Sequence, residues 1–317
     1  MIVSDALKKL REAVRVRHFS LGTEKSYGMW LRSYMGAVRG YPAGWPPEKK
    51  IARFLTEEAV RGVAASTQNQ ALNALVFFYK VVLGVPVGEI EAGRARRTER
   101  VRAALPVGET RAVLGAVEDV GGYPTRLVAL LLYGAGLRVT EPLELRLKDV
   151  DLAARRLVIR EAKGQKDRVV ALPEVLVEGM RGQLRMARAV WRADRAAGLP
   201  VRLPGLLRRK SPGLALTEGW AWVFPAHAAG AHPRTGELVR WRMHEVNVQR
   251  AVRAAAERAG LAGRVTPHVL RHCYATHAHE AGAPVRNLQE AMGHTQIETT
   301  MRYLTPSAAG VRSPLDG

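Results

Sequence analysis

One change in hydrophobic period constrains the fold of this 317-residue chain more than any other feature. Apolar residues recur every three to four positions over long stretches, which is the spacing of amphipathic helices. Two short runs, 156–160 and 168–172, have β-type composition instead, and the residues between them, which include Lys163-Gly-Gln-Lys-Asp167, are typical of a hairpin. The sequence therefore predicts a mainly α protein with a small β-hairpin or sheet, in the α+β class.

The apolar pattern also predicts two domains joined by a linker. Residues 1–90 form the first, and their four helical patterns span 3–16, 23–39, 47–62 and 67–83, with Thr23 and Ser66 as expected N-caps and Gly84 as a C-terminal stop. Residues 91–105 lack a periodic apolar face and are predicted to be the linker. The second domain, 106–317, contains a segment of about 190–243 that is rich in glycine, proline and tryptophan and gives no clear secondary structure from about 198 onward.

The formal net charge of +20 indicates an anionic partner. Most of the basic residues are arginines, whose guanidinium groups bind phosphates through two parallel hydrogen bonds. Nucleic acid is the partner that fits best, and the linker arginines are expected to lie along its backbone. These are Arg94, Arg96, Arg97, Arg100 and Arg102. A solvated basic surface, with the linker as a frayed charged helix, is the simpler alternative.

Cysteine content and the N-terminal residues indicate the compartment. Cys273 is the only cysteine, so neither an intramolecular disulfide nor a CxxC site can form. Lys8, Lys9 and Arg11 stand where a signal peptide would need its apolar run, and the longest apolar stretch, 128–132, is far too short to cross a bilayer. We therefore expect a cytoplasmic protein that does not contact membranes.

No metal or other cofactor is predicted. His268 and His272 have a spacing that metal ligands use, but the segment lacks the glutamate of HExxH, and Arg271 inside it would repel a divalent cation. The chain contains no GxxxxGK[ST] sequence, so ATP is not implied either.

Six residues supply the groups that metal-free cleavage of a phosphodiester requires: Arg138, Lys163, His268, Arg271, His294 and Tyr303. Tyr303 offers a phenolate nucleophile, Lys163 at the hairpin tip can protonate the leaving oxygen, and the two arginines can clamp the phosphate. Each also has an ordinary explanation by itself: a packed tyrosine, an exposed hairpin lysine, and an ion pair between Arg138 and Glu141 on a helix surface.

The motifs that contain these residues resemble those of the tyrosine recombinase family. They are GLRVTEPLEL (136–145), EAKGQKDRVVALP (161–173), TPHVLRHCYATH (266–277) and MGHTQIETTMRY (292–303). The resemblance implies a SAM-like core-binding domain and a catalytic domain that close around DNA as a C-shaped clamp and act as a DNA-bound homotetramer. It also implies roles: Arg138, Arg271 and His294 stabilise the transition state, Lys163 is the general acid, His268 the general base and Tyr303 the nucleophile.

A closer resemblance, to integron integrases, covers nearly the whole chain. It includes RHFSLGTEKSYGMWLRSY (17–34), the ending GVRSPLD (310–316) and the 190–243 segment, which is longer than the corresponding part of other tyrosine recombinases. It implies insertion and excision of gene cassettes at duplex and folded single-stranded sites. Arg240, Trp241 and Arg242 in the segment are expected to contact DNA, with Trp241 stacking on protruding bases.

Two departures from this pattern leave alternatives open. Leu304-Thr305 follows Tyr303 where the family usually has threonine and histidine, and Trp241-Arg242 stands where the subfamily often has two histidines. The alternatives are a phage-type integrase or resolvase that acts on duplex sites only, and a catalytically inactive DNA-binding relative.

Overall fold

The computed structural model describes residues 2–90, 104–160, 167–293 and 300. The chain divides into two compact units, residues 1–100 and 101–317, each with its own hydrophobic core. Among the described helices, none is both long enough and apolar enough to cross a membrane.

The first unit is built from four helices, and the predicted spans are confirmed to within two residues. They are α1 (Val3–Val16), α2 (Leu21–Ala37), α3 (Pro47–Val60) and α4 (Ala65–Phe77), the last continuing as a π-helical turn over Phe78–Leu83. Each helix contributes an apolar face to the core, where Leu10, Leu31, Phe54 and Leu75 are at most 1% exposed. Each of these side chains stabilises the unit by about 1.5–3 kcal/mol through burial.

Two predicted helix starts in this unit are wrong. Ser20, in an extended backbone conformation, caps α2, because its side-chain oxygen accepts a hydrogen bond from the N–H of Thr23 at 3.1 Å. Thr23 therefore lies inside the helix. α4 begins after Ala64, so Ser66 also lies inside its helix. The predicted stop at Gly84 is confirmed, since this residue ends the π-helical turn with φ of +67°.

The described part of the second unit is organised around α6 (Thr125–Gly134), which packs against α5 (Val107–Ala116), α10 (Glu245–Arg258) and α11 (Pro267–Glu280). Val128, Leu131 and Leu132 of α6 are fully buried. The motif at 136–145 contains the short helix α7, Thr140–Glu144. The helices are α5 (Val107–Ala116), α6 (Thr125–Gly134), α7 (Thr140–Glu144), α8 (Val177–Ala196), α9 (Gly205–Lys210), α10 (Glu245–Arg258), α11 (Pro267–Glu280) and α12 (Val285–Met292).

A three-stranded antiparallel sheet confirms the predicted hairpin. Its strands, in the order β1-β2-β3, are β1 (Val150–Asp151), β2 (Arg156–Ile159) and β3 (Arg168–Ala171). Ile159 pairs with Arg168, and Leu157 pairs with Val170. Because side chains alternate along a strand, Arg168 lies on the same face of β3 as the buried Val170. The hairpin tip with Lys163 falls outside the described residues.

The segment for which the sequence predicted no structure contains short elements around a small core. After α9 come 3-10 turns over Pro212–Leu216 and Glu218–Trp220, then the antiparallel strands β4 (Pro225–Ala231) and β5 (Leu238–Arg242). Val201, Leu203 and Ala215 are buried together. Trp222 is 1% exposed and donates from Nε1 to the Arg240 carbonyl at 3.0 Å, so it packs inside the second unit.

Candidate active site

Arg138 and Glu141 meet at the start of α7. Gly136, with φ of +62°, turns the chain toward them, and a Cβ added there would lie 2.4 Å from the Tyr274 ring, so only glycine fits. The Arg138 backbone N–H donates to Glu141 Oε2 and its Nη1 to Oε1, both at 2.8 Å. The Glu141 side chain is only 12% exposed, against 37% for Arg138. This is therefore not the surface ion pair that the spacing alone suggested.

The Glu141 carboxylate also holds two further arginines. Arg168 Nη2 donates to Oε2 at 2.7 Å, and Arg271 Nη1 lies 3.5 Å from the same oxygen. Burial alone would raise the pKa of Glu141, but the hydrogen bond and charge of Arg168, the Arg138 backbone N–H and the charge of Arg271 outweigh it and hold that pKa below the usual carboxyl value. Glu141 is therefore an anion that three guanidinium groups share.

Helix α11 positions the His268-x-x-Arg271 motif. Its N-cap is Thr266, whose side-chain oxygen accepts from the Val269 N–H at 3.4 Å. His268 lies exposed in the first turn, whereas Arg271, one turn later, is 1% exposed. Arg271 Nη1 donates to the Gly136 carbonyl at 2.7 Å, which joins α11 to the turn before Arg138.

The C-terminal end of α12 is the second point where the arginines converge. The carbonyls of its last two residues and of the cap Gly293 accept hydrogen bonds: Ala291 from Arg168 Nε (2.8 Å), Met292 from Arg271 Nη2 (2.6 Å) and Gly293 from Arg138 Nη2 (3.2 Å). A helix C-terminus has unpaired carbonyls and a partial negative charge, so cations stabilise it. Gly293 ends the helix with φ of +61°, and His294 follows it directly.

The structure thus brings together two of the six predicted catalytic residues, Arg138 and Arg271, through shared contacts to Glu141 and to adjacent carbonyls. His268 is exposed on the helix that carries Arg271. Lys163, His294 and Tyr303 lie outside the described residues, as do the five predicted linker arginines, Arg94, Arg96, Arg97, Arg100 and Arg102.

Arg240 and Arg242 form ion pairs within the fold. Arg240 is 12% exposed and donates to both carboxylate oxygens of Asp194 at 2.8 and 2.5 Å. Arg242 is 17% exposed and donates to Glu144 at 2.7 Å and Glu245 at 3.1 Å. Their guanidinium groups cross-link elements of the second unit. The expected contacts of these two arginines with DNA stay a prediction.

Trp241 lies in a layered stack. Its ring is parallel to that of His232, at 12° and a centroid distance of 5.8 Å, and the Arg202 guanidinium lies 5.1 Å from its centroid. Trp241 Nε1 donates to the Gly230 carbonyl at 3.0 Å. Burial and nearby arginines lower the pKa of His232, so its ring is neutral at pH 7. The indole is therefore held at a fixed orientation, half-buried.

Two residues of this cluster, Glu141 and Arg168, were not predicted from the sequence. Glu141 was read as one half of an exposed pair, since an i, i+3 spacing fits an exposed and a buried carboxylate equally well. For Arg168 a signal was present: strand alternation places it on the same face as Val170 and Leu172, so an inward-facing cation could have been predicted.

Sequence comparisons connect both units to one family. The "Phage integrase family" description matches residues 105–309, and "Phage integrase, N-terminal SAM-like domain" matches residues 6–89. Two relatives named "Integrase/recombinase", from Escherichia coli and Pseudomonas aeruginosa, are each 40% identical over 98% of this chain and 93% of their own length. A tyrosine recombinase XerD from Agrobacterium fabrum is 30% identical over 86% of this chain and 80% of its own.

Solved structures confirm the predicted fold class. The Tn1549 transposon integrase in complex with circular intermediate DNA matches with a TM-score of 0.65 and 16% identity over 95% of both chains. A lambda integrase from a tetramer bound to a Holliday junction matches with a TM-score of 0.64 and 16% identity, over 99% of this chain and 80% of the other.

Proposed function

The chain belongs to the phage integrase family of tyrosine recombinases, and from this premise we propose that it cuts and rejoins DNA through a 3′-phosphotyrosyl intermediate on Tyr303. It is a site-specific recombinase. The convergence of Arg138 and Arg271 on one carboxylate and one helix end carries the proposal, because these residues are far apart in sequence and both belong to the motifs of the family.

In the proposed reaction the Tyr303 oxygen attacks the scissile phosphorus while the bond from phosphorus to the 5′ oxygen breaks. His268 accepts the phenolic proton, and Lys163 gives a proton to the departing 5′ oxygen. Arg138, Arg271 and His294 stabilise the charge on the non-bridging oxygens. In the second half a 5′ hydroxyl attacks the phosphotyrosine and releases Tyr303. Each phosphodiester is exchanged for another ester, so the scheme requires neither ATP nor a metal ion.

We further propose that the protein is an integron integrase that moves gene cassettes at duplex and folded single-stranded sites, as a tetramer on DNA. Two observations support this. The relatives at 40% identity match 98% of the chain, including the 190–243 segment, and this segment folds around a small core of its own within the second unit. The half-buried Trp241 in its fixed stack is the residue we propose to contact protruding bases.

A covalent trap tests the chemistry. Incubating the protein with a nicked or suicide DNA site should give a denaturant-stable adduct, and Tyr303→Phe should abolish the adduct while retaining DNA affinity, because only the attacking oxygen is removed. Tyr274→Phe is the matched control, since that ring packs on Gly136 and the residue has no proposed role in the chemistry. An adduct formed by Tyr303→Phe would contradict the assignment.

A comparison of two DNA substrates distinguishes the substrate classes. Recombination of a folded single-stranded cassette site, measured beside cleavage of a duplex site, separates an integron integrase from a duplex-only recombinase. Trp241→Ala should reduce the first far more than the second, because stacking contributes about 1–3 kcal/mol per base. Equal loss on both substrates, at unchanged stability, would mean that Trp241 does not read protruding bases. A complete lack of adducts would favour the inactive relative.

A further inference from the structure

Arg168 connects three segments of the second unit. It begins β3, and its side chain contacts Glu141 and the C-terminal end of α12. It is the first residue of β3 and pairs with Ile159. This is the pair of the β2–β3 ladder nearest to Lys163, and we call it the base of the hairpin. Its side chain, 10% exposed, donates from Nη2 to Glu141, which binds Arg138. From Nε it donates to the carbonyl of Ala291, three residues before His294.

The fit around this guanidinium is tight. A Cβ added to Gly293 would lie 2.9 Å from Arg168 Nη1 and 3.1 Å from Cδ, so the chain passes close over the side chain without room for another. The two acceptors, a carboxylate and a helix carbonyl, are bound by different nitrogens of one planar fork. A lysine has a single ammonium on a flexible stem and cannot fix both acceptors in the same geometry.

The base of the hairpin is fixed on its other side as well. Arg160 donates from Nε to Asp149 at 2.7 Å and from Nη1 to Asp167 at 3.1 Å. The Arg160–Asp167 pair thus spans the hairpin one residue closer to the tip than the pairing of Ile159 with Arg168. A displacement of Arg168 would therefore also displace its neighbours Ile159, Arg160 and Asp167, which flank the residues of the tip.

We propose that Arg168 is a positioning residue, which holds the base of the β2–β3 hairpin, Glu141 and the C-terminal end of α12 in one fixed arrangement. It acts on the chemistry through Lys163 and does not contact the scissile phosphate, whereas Arg138 and Arg271 keep their own contacts to Glu141 and to the end of α12. This inference rests on the proposed function, in which Lys163 is the acid. It predicts a specific chemical signature, because misplacing an acid slows only the departure of a leaving group that needs a proton.

The test compares Arg168→Lys with Arg155→Lys, a control in the turn between β1 and β2 whose exposed arginine pairs with Glu174 at the surface. Each is assayed on DNA with an ordinary scissile phosphate and with a sulfur in place of the bridging 5′ oxygen. A misplacement on the scale of 1 Å slows a reaction about 10²-fold, so Arg168→Lys should lose about that much on the oxygen substrate. On the sulfur substrate it should lose only a few-fold, since a thiolate leaves without a proton.

Lys163→Ala on the same two substrates separates this proposal from the proposed function. If Lys163→Ala is rescued by sulfur but Arg168→Lys is slowed equally on both substrates at unchanged thermal stability, the positioning role is wrong. If Lys163→Ala is not rescued, the acid assignment of the proposed function fails, and Arg168 is then judged by hydrogen exchange.

Amide hydrogen exchange gives a readout that does not depend on catalysis. Arg168→Lys should speed exchange in two peptides that are distant in sequence, one over β2–β3 and one over 285–293, and Arg155→Lys should not speed it in the second. Unchanged exchange over 285–293 in Arg168→Lys would overturn the proposed connection. If Arg168→Lys does not fold, Arg168→Gln, which keeps a planar donor group at similar length, replaces it in both assays.

Discussion

Replacing Glu141 by glutamine tests whether one buried carboxylate holds the arginine cluster together. The substitution changes the shape of the side chain very little but removes its charge and turns one acceptor oxygen into a donor group. Arg138, Arg168 and Arg271 all lie within 3.5 Å of the carboxylate, and Arg271 is 1% exposed. The variant thus leaves a buried cation without its anion and directs an amide N–H at guanidinium donors.

The structure sets the size of the effect. Removing one partner of a buried ion pair costs about 3–5 kcal/mol of the free energy of unfolding, and each lost hydrogen bond to a charged group about 1.5–3 kcal/mol, in overlapping contributions. All three arginines keep a carbonyl partner at the end of α12, so we expect the lower end, about 3 kcal/mol. For a unit the size of residues 101–317, this lowers Tm by roughly 6–12 °C.

Urea unfolding followed by tryptophan fluorescence measures this effect, because four of the six tryptophans, Trp191, Trp220, Trp222 and Trp241, lie in the second unit. Glu178→Gln is the matched control: its carboxylate is 77% exposed and pairs with the exposed Arg181. Loss of an exposed pair changes the free energy of unfolding by at most about 1 kcal/mol.

The pH dependence provides a second check. The pKa of Glu141 is lowered in the folded state, so its stabilisation is fully present above the usual carboxyl pKa and is lost as pH falls through the folded-state value. Glutamine does not titrate. The difference in unfolding free energy between wild type and Glu141→Gln should therefore be constant near neutral pH and shrink in acid below about pH 4. A difference below about 0.5 kcal/mol at pH 7, or one that grows in acid, would refute this reasoning.

Three further predictions concern the second unit and its substrate. Gly136→Ala should destabilise the protein by about 2–5 kcal/mol, because a left-handed backbone is strained for alanine and the new Cβ clashes with Tyr274. The control Gly198→Ala, with φ of +66° and open space around it, has the backbone strain alone and should cost about 1 kcal/mol. Equal losses of stability in thermal unfolding would exclude the clash. Arg138→Ala should slow adduct formation about 10²-fold or more, and the surface variant Arg181→Ala should not; equal rates would remove Arg138 from the site. DNA affinity should fall steeply between about 50 and 200 mM salt, because a +20 chain releases condensed counterions, and a flat profile in an anisotropy titration would argue against binding through the phosphate backbone.

The sequence predicted local structure well where one physical signal dominates. The amphipathic period placed α1–α4 within two residues of their observed bounds when the π-helical turn that continues α4 is included, and the change to a β-type pattern placed β2 and β3. The first residue of a helix was harder to predict, because Ser20 and Thr23 are both good capping residues and only the backbone conformation decides between them. The 198–243 segment has no regular spacing of apolar residues that would predict its elements, since 3-10 turns and a bulged hairpin pack around three small or medium side chains.

The site could be predicted in its composition but not in its arrangement. Residue types and motif spacing pointed to Arg138 and Arg271, yet neither shows that both would bind the same carboxylate. Local spacing also misjudged Glu141, because two of the arginines that contact its carboxylate, Arg168 and Arg271, lie far away in sequence. For Arg240 and Arg242, a basic and aromatic stretch indicated nucleic acid but could not show their ion pairs with Asp194 on α8 and Glu144 on α7, which lie far away in sequence.

The charge balance of the cluster explains how it can be both stable and suited to a phosphodiester. Three guanidinium groups carry three positive charges, Glu141 contributes one negative charge, and the end of α12 contributes roughly half of another, which leaves about +1.5. The arginines are thus stabilised without being cancelled, and the remainder matches an anionic phosphate whose charge grows in the transition state. The exposure of the side chains, 37% for Arg138 against 10% for Arg168 and 1% for Arg271, indicates the direction of approach. A phosphate would meet Arg138 first and the less exposed Arg271 after it, while Arg168 holds the arrangement of both through Glu141 and the end of α12.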